Sequence, residues 1–397
     1  MPLTLKLFGN WAPAHASRSP FPRGLSRLKS ELGYRIHQLR RRYSYQLVSS
    51  PDKHTTAVLF GQAVYVRPLV DDFLNYIGPR PAQNVPRLPS ARLARQLACD
   101  HGLVIFHEDA VPRALRAELI HQPKSVGMAL ELTGPLAQTR AALSLQTRTQ
   151  LKNIEARGLR LEITRDLSLI PEFYERYYIA SMTKRHETLA TVVPLDWFYQ
   201  YMQNDGELLR VFDGDQWIAG IIATRSADGY RLEQSGWLDG DPQFVNAGAI
   251  KFLYWQGITR AAELGLPRVH FGGSSNDLSN GILFQKSRWG ARIVRTGDRY
   301  HDWPLLINPE HPAVGDLLTR RTLLFTDPAN GFFVLSTRPP SEVPAYSSQS
   351  PSISAWYRLR ETPAPADRPD SATPSYLPAT LHPWFDSVPL KPARKAA

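Results

Sequence analysis

The 397-residue chain carries one cysteine, Cys99. A single thiol excludes an internal disulfide framework and any thiolate-caged metal cluster, and it points to a reducing compartment. No run approaches the roughly 18 apolar residues that a membrane-spanning helix needs. No apolar stretch near the N-terminus reads as a secretory h-region. Several signatures are missing too: there is no G-x-x-x-x-G-K-[ST] loop, no G-x-G-x-x-G after a strand and no G-x-S-x-G elbow. "HEDAV" and "HETLA" lack the second histidine of a zinc-protease helix, and no kinase signature set is present. Nucleotide hydrolysis, dinucleotide redox chemistry and serine-hydrolase chemistry are therefore not expected, nor is a bound metal.

An apolar content of 43% suits a chain that buries a core. Lys and Arg number 47 against 36 Asp and Glu, a net charge of +11. The excess is uneven. Between Arg18 and Arg42 stand Arg18, Arg23, Arg27, Lys29, Arg35, Arg40, Arg41 and Arg42 against Glu31 alone, so this segment supplies +7 of the +11. Leu25, Leu28, Leu32, Ile36 and Leu39 recur every three or four residues, which reads as a basic amphipathic helix. Such an arm can lie on an anionic lipid surface or track phosphates. A helix packed on its own domain with a solvated basic face is the alternative.

Four regions follow from texture: residues 1–45 as the arm, 46–140 as an α/β half, 141–336 as a second domain and 337–397 as a tail. In the first half, "TTAVLF", "GLVIFH" and "SVGMALEL" read as strands, "SARLARQLACDHG" and "PRALRAELIHQ" as helices. Cys99 lies two residues from His101, but a lone helical cysteine is ordinarily core filler. The tail holds 12 prolines among residues 339–397, so it is expected to be disordered or extended. Trp356, Trp384 and Phe385 are unusual there and suit docking on the body or a protein partner.

The second domain is the most readable. A helix is expected over "PLAQTRAALSLQTRTQLKNIEARG", ending at Gly158, then a strand "LRLEIT" and helices "LSLIPEFYERYYIASMTKRH" and "PLDWFYQYMQN". Strands "ELLRVFDG", "QWIAGIIATRSADG" and "YRLEQSGWLDG" are separated by hairpin glycines. A long helix beginning near Gly248 and ending at Gly265 leads to strand "RVHFGG", helix "GILFQKSRWG" and strand "ARIVRTG". The expected class is α+β: a mixed, mainly antiparallel sheet flanked by helices. At the start of the long helix, Asn246, Ala247, Gly248 and Ala249 are small enough for backbone N–H groups to approach an anion such as a pyrophosphate. Asn246 acting merely as an N-cap explains the same residues.

The pieces "KNIEARGLRLEI", "FYERYYIASMTKRH", "GDQWIAGIIA" and "FVNAGAIKFLYWQGITRAAELGLPRVHFGGSSNDLSNGILFQKSRWGARIV" together resemble the FemAB-like branch of the GNAT acyltransferase superfamily over about 140–300. The chain departs from the pattern where Gln285 separates Phe284 from Lys286, and at His270, where an acidic residue is frequent. The resemblance implies two GNAT-like halves and transfer of an acyl group from acyl-CoA, or from aminoacyl-tRNA, to an amine or hydroxyl of a cell-envelope or small-molecule acceptor. It implies a cytoplasmic protein, peripheral on the inner membrane face. On this reading Asn246, Ala247, Gly248 and Ala249 bind the donor's phosphates, and Lys286 pairs with donor phosphate or developing charge, its alternative being a solvated lysine. Glu233 and His186 are the candidate bases, with an ion pair to Arg231 as the alternative for Glu233. Arg185, Trp289 and Ser274 are the candidate acceptor contacts. A nucleic-acid-binding protein and a non-catalytic envelope scaffold are the rival classes.

Overall fold

A computed structural model describes residues 44–49, 56–60, 85–86, 90–107, 110–123, 125–186, 192–295, 302–326, 331–343, 350, 352–364 and 376–390. The arm Arg18–Arg42 lies outside them, as do the side chains of Arg185 and His186.

Two sheets carry the described fold. The first has ten strands, in the spatial order Phe385–Ser387 (β17), Ile353–Leu359 (β16), Phe332–Ser336 (β15), Leu323–Thr326 (β14), Ile120–Gln122 (β5), Trp303–Ile307 (β13), Leu103–Phe106 (β4), Thr56–Phe60 (β2), Ser44–Ser49 (β1) and Val85–Pro86 (β3). The second has seven, in the order Arg292–Val294 (β12), Val126–Glu131 (β6), Arg268–Ser274 (β11), Gly229–Trp237 (β10), Gln216–Ser226 (β9), Gly206–Asp213 (β8) and Arg160–Thr164 (β7). All its neighbours are antiparallel except β10 and β11. That is the mixed, mainly antiparallel α+β class expected from the alternation of hairpin signals and helices.

The boundaries drawn from composition do not coincide with the sheets. β6 precedes residue 140 yet pairs with β11 and β12, and β13, β14 and β15 precede residue 336 yet pair within the first sheet. The second sheet is thus inserted in sequence between the two parts of the first. The tail also departs from expectation, since β16 and β17 extend the first sheet. Trp356 is fully buried there, and its indole N–H donates to the Arg338 carbonyl. Burial of Ile353, Trp356, Tyr357, Leu377, Leu381 and Phe385 together works against the ordering cost that a Pro-rich composition implies.

Nine helices are named here: Ala91–His101 (α1), Leu136–Ala142 (α2), Leu145–Glu155 (α3), Ile170–His186 (α4), Leu195–Gln203 (α5), Pro242–Asn246 (α6), Ala249–Glu263 (α7), Gly281–Ser287 (α8) and Pro312–Arg320 (α9). "PRALRAELIHQ" forms a 3-10 turn, Arg113–Glu118, and then β5, rather than one helix. The single helix expected over 135–158 is two, because Ser144 accepts from the Thr147 N–H and so caps a fresh start. In α4 the stretch Phe173–Ile179 is π-helical. Its wide turn packs on the sheet so closely that a Cβ on Gly236 would lie 2.4 Å from the Tyr177 backbone.

One cluster of apolar side chains, including Leu151, Ile154, Leu253, Ile258 and Phe271, fills the space between the second sheet, α3 and α7. The same cluster takes in Leu324, Phe332 and Trp356, so the two sheets share a continuous core. An aromatic cluster around Phe173, Tyr177, Phe198 and Trp217 fastens α4 and α5 to strands β8 and β9.

Candidate functional site

The parallel pair β10 and β11 is the irregular place in the second sheet. Its ladder joins Tyr230 to Val269 and Arg231 to His270, and stops there although β10 continues to Trp237 and β11 to Ser274. Irregularities fall at the same level on both outer sides: a bulge between Leu232 and Gln234 against β9, and a register shift between His270 and Gly273 against β6. Bulges bend a strand and re-aim its side chains. The carboxyl ends of the two strands therefore part, and α7 begins beyond that end. Crevices outside the carboxyl ends of diverging parallel strands are where open sheets bind ligands.

Glu233 occupies the bulge. It is largely buried, accepts a 2.9 Å hydrogen bond from the Thr224 hydroxyl and lies 3.8 Å from the Arg231 guanidinium. The ion pair weighed as an alternative for Glu233 is thus present at long range, beside a firmer hydroxyl contact. His270, the other member of the last ladder pair, is buried with Nε2 3.2 Å from Asp228 Oδ2. Burial, and then the Arg231 charge, hold its pKa below the ordinary histidine value.

Across the divergence, β11 ends at Gly273 and Ser274. Lys286, from α8, reaches back beneath them: its Nζ donates to the Gly273 carbonyl at 2.6 Å and to Ser274 Oγ at 3.1 Å. Only 6% of Lys286 is exposed, and no carboxylate pairs with it among the described residues. Burial lowers its pKa from 10.5 to about 8. The solvated-lysine alternative is therefore wrong. The loop that carries this end is anchored by Asp277, which accepts from the Thr322 N–H at 3.1 Å and from Arg321 at 3.0 Å. Asn276 donates to the Pro123 carbonyl at 2.7 Å.

The α7 N-terminus is built differently from the expectation. Asn246 is not its cap; it ends the short α6, which Asp241 caps. Gly248 caps α7 with a left-handed φ of 94°, without a side-chain bond, and no acidic residue stands in the first turn. A Cβ on Gly248 would meet Ile154 Cγ1 at 2.6 Å, so the position needs glycine twice over. Arg157, at the end of α3, donates to the Ala247 carbonyl at 2.9 Å while the residue stays exposed. Sequence reasoning missed Arg157. Its contact spans 90 residues and no local pattern announces it.

Of the other candidates, Ser274 joins Lys286 directly. Trp289 is a core residue, only 4% exposed, with its ring edge-to-face against Tyr254 at 6.0 Å, so its indole has almost no surface to offer an acceptor. Arg185 and His186 end α4, and their side chains are outside the described residues. Among the described residues no helix is long and apolar enough to cross a membrane.

Residues 143–278 match the family described as Acetyltransferase (GNAT) domain. No curated protein matches the chain by sequence. Among solved structures the chain is similar to FemX, with 12% identity, 68% of this chain and 85% of that chain covered, and a TM-score of 0.37. The C-terminal domain of a putative lysylphosphatidylglycerol synthetase from Agrobacterium fabrum gives 11% identity, 69% and 87% coverage and a TM-score of 0.32. L-PGS from Bacillus licheniformis gives 13% identity, 77% and 98% coverage and a TM-score of 0.32.

Proposed function

We propose that the chain is an acyltransferase that moves an acyl group from acyl-CoA to an amine or hydroxyl of a cell-envelope or small-molecule acceptor. The observation that carries the reading is the parting of β10 and β11, which leaves Glu233 on one strand and the Ser274–Lys286 pair at the end of the other, beyond their last ladder pair. The donor's phosphates fit the α7 N-terminus at Gly248 and Ala249: the helix end is partially positive, carries no acid and stands beside the exposed Arg157. The thioester would then extend into the crevice between the strands.

Attack by the acceptor turns the thioester carbonyl into a tetrahedral oxyanion, and a donor aimed at that oxygen lowers the barrier. Lys286 is suited to this through Ser274, whose hydroxyl it contacts. A buried ammonium near Ser274 interacts more strongly with developing charge than a solvated one. That placement favours developing charge over donor phosphate as the role of Lys286. Glu233, at the bulge, is the base that receives the acceptor's proton, and His186 is the alternative base from the end of α4. As the oxyanion collapses, the C–S bond breaks and the CoA thiolate takes up the proton that Glu233 received from the acceptor, leaving as the thiol.

The test is thermal stability of the purified protein with acetyl-CoA, longer acyl-CoAs and free CoA. A ligand at 100 times its dissociation constant adds about 2.7 kcal/mol, an easily seen shift. A shift that free CoA competes away supports the reading, and the best acyl length identifies the donor. Absence of any shift, with binding to aminoacyl-tRNA instead, replaces acyl-CoA by that donor. Insensitivity to both donors leaves a scaffold. Glu233→Gln and His186→Ala, made separately, assign the base by loss of turnover at saturating substrate.

A further inference from the structure

Helix α4 crosses the carboxyl end of β10 backbone to backbone. A Cβ on Gly236 would overlap the Tyr177 backbone, and one on Gly240, just past the strand, would lie 2.5 Å from the Ala180 carbonyl oxygen. Two glycines thus let the helix lie directly on the chain. Arg176 adds a 3.3 Å ion pair to Asp239 in the same turn. About one helical turn beyond Tyr177 stands Ser181, 2% exposed. Its hydroxyl accepts from the Trp237 N–H at 2.9 Å and donates to the Trp237 carbonyl at 3.1 Å.

That bracket occupies the place of a strand. Opposed residues of an antiparallel pair alternate between those that exchange both backbone bonds and those that exchange none. Trp237 stands opposite Ala219 of β9, yet both its backbone groups go to Ser181. They therefore point away from β9, toward the side on which β11 lies. At the start of β10 that side is filled by β11, through the Arg231–His270 pair. At its end a hydroxyl from a helix fills it. β11 is not far off, since a Cβ on Gly272 would meet the Leu232 carbonyl oxygen at 3.5 Å. Without the hydroxyl, the Trp237 N–H and carbonyl would need other partners, and the strand across the gap supplies them.

We propose that Ser181 is a positioning residue that holds the crevice open. By taking both backbone groups of Trp237 it keeps the end of β10 from closing on β11, and so sets the width left for a ligand between the two strands. It touches neither substrate nor reacting atoms. Naming that ligand rests on the acyl-transfer reading, in which the donor's pantetheine arm runs through the crevice and its phosphates lie outside, at the α7 N-terminus. Loss of the Ser181 hydroxyl then weakens the hold on the arm and spares the phosphates. A hydroxyl that only stabilised the fold would behave otherwise: while nearly every molecule stays folded, lost stability leaves affinity unchanged.

The experiment is calorimetric titration of the full chain with CoA and with 3′-phospho-ADP, which keeps the phosphates and lacks the arm. S181A should weaken CoA binding about tenfold, the equivalent of one backbone group left without its partner, and 3′-phospho-ADP binding less than about twofold. S181T, which keeps the hydroxyl, should stay within about threefold of wild type for both. L317V, in the apolar cluster of the first sheet, lowers the melting midpoint without touching α4 or β10 and should change neither affinity. CoA bound by S181A as tightly as by wild type, or both ligands weakened equally, overturns the positioning role and leaves the acyl-transfer reading standing. A wild type that binds no CoA overturns that reading, and the role assigned to Ser181 with it.

Discussion

Replacing Lys286 by Met should raise stability while removing activity, and the pH dependence carries the proof. In the native state burial holds this ammonium's pKa at about 8, against 10.5 in a solvated chain. That depression corresponds to roughly 3 kcal/mol at about 1.4 kcal/mol per tenfold change in proton affinity. Below pH 8 both states are protonated and the native state bears the whole cost. Between pH 8 and 10.5 the unfolded chain binds the extra proton, so stability rises with pH; above 10.5 the cost is gone. The lost bond to the Gly273 carbonyl works against the variant by about 1–3 kcal/mol. Lys286→Met should therefore be more stable than wild type by about 1–2 kcal/mol at pH 7, and the wild type should close that gap and pass the variant by pH 10.5. Urea melts of both proteins at pH 7, 8, 9 and 10 measure it, and subtracting the curves cancels every other titrating group. Parallel curves would mean that Lys286 is solvated, and the electrostatic role assigned to it would fall with them. If the ammonium form assists transfer, turnover should also decline above about pH 8.

Gly248→Ala places a Cβ against Ile154 at a left-handed φ, at a cost of about 1–3 kcal/mol, and should weaken donor binding more than acceptor KM. A wild-type melting midpoint would contradict the described cap. Trp356→Ala should cost about 3–5 kcal/mol in a urea melt, as for other fully buried large aromatics; a loss under 1 kcal/mol would mean the tail does not pack as described. His270, held below its ordinary pKa by burial and Arg231, makes the unfolded chain bind the extra proton as pH falls. Native stability should decline below about pH 6.5, and His270→Gln should flatten that decline.

Where the chain could be read directly, short-range chemistry was decisive. The glycines after Asp213 and Asp228 turn with positive φ, and the strands they separate are β8, β9 and β10. Gly265 likewise ends α7. What escaped reading depends on partners far along the chain. "LFQKSRWG" has the pattern of a solvated helix, yet Lys286 turns inward because Gly273 and Ser274 stand thirteen and twelve residues away on another element. Asn246 has the residue type of a cap, but Asp241 starts a short helix upstream and leaves Gly248 at the junction. Trp289 is adjacent in sequence to Arg288, whose residue is only partly buried, while the indole itself faces Tyr254 in the core. Proline counting misjudged the tail because composition cannot register where the apolar side chains pack.

The interleaving of the first sheet governs the order in which the molecule can be made. β5 is held on both sides by strands that come much later, β13 from residue 303 and β14 from residue 323. A ribosome adding roughly 5–20 residues per second reaches them about 10–40 s after β5 has emerged. The seven strands of the inserted unit, all between Val126 and Val294, are complete before then. During that interval β4 and β5 present bare backbone edges to solvent, and such edges recruit other strands. Expression at slowed translation, or with a holdase at hand, should therefore decide the yield of intact protein more than any single substitution in the inserted unit.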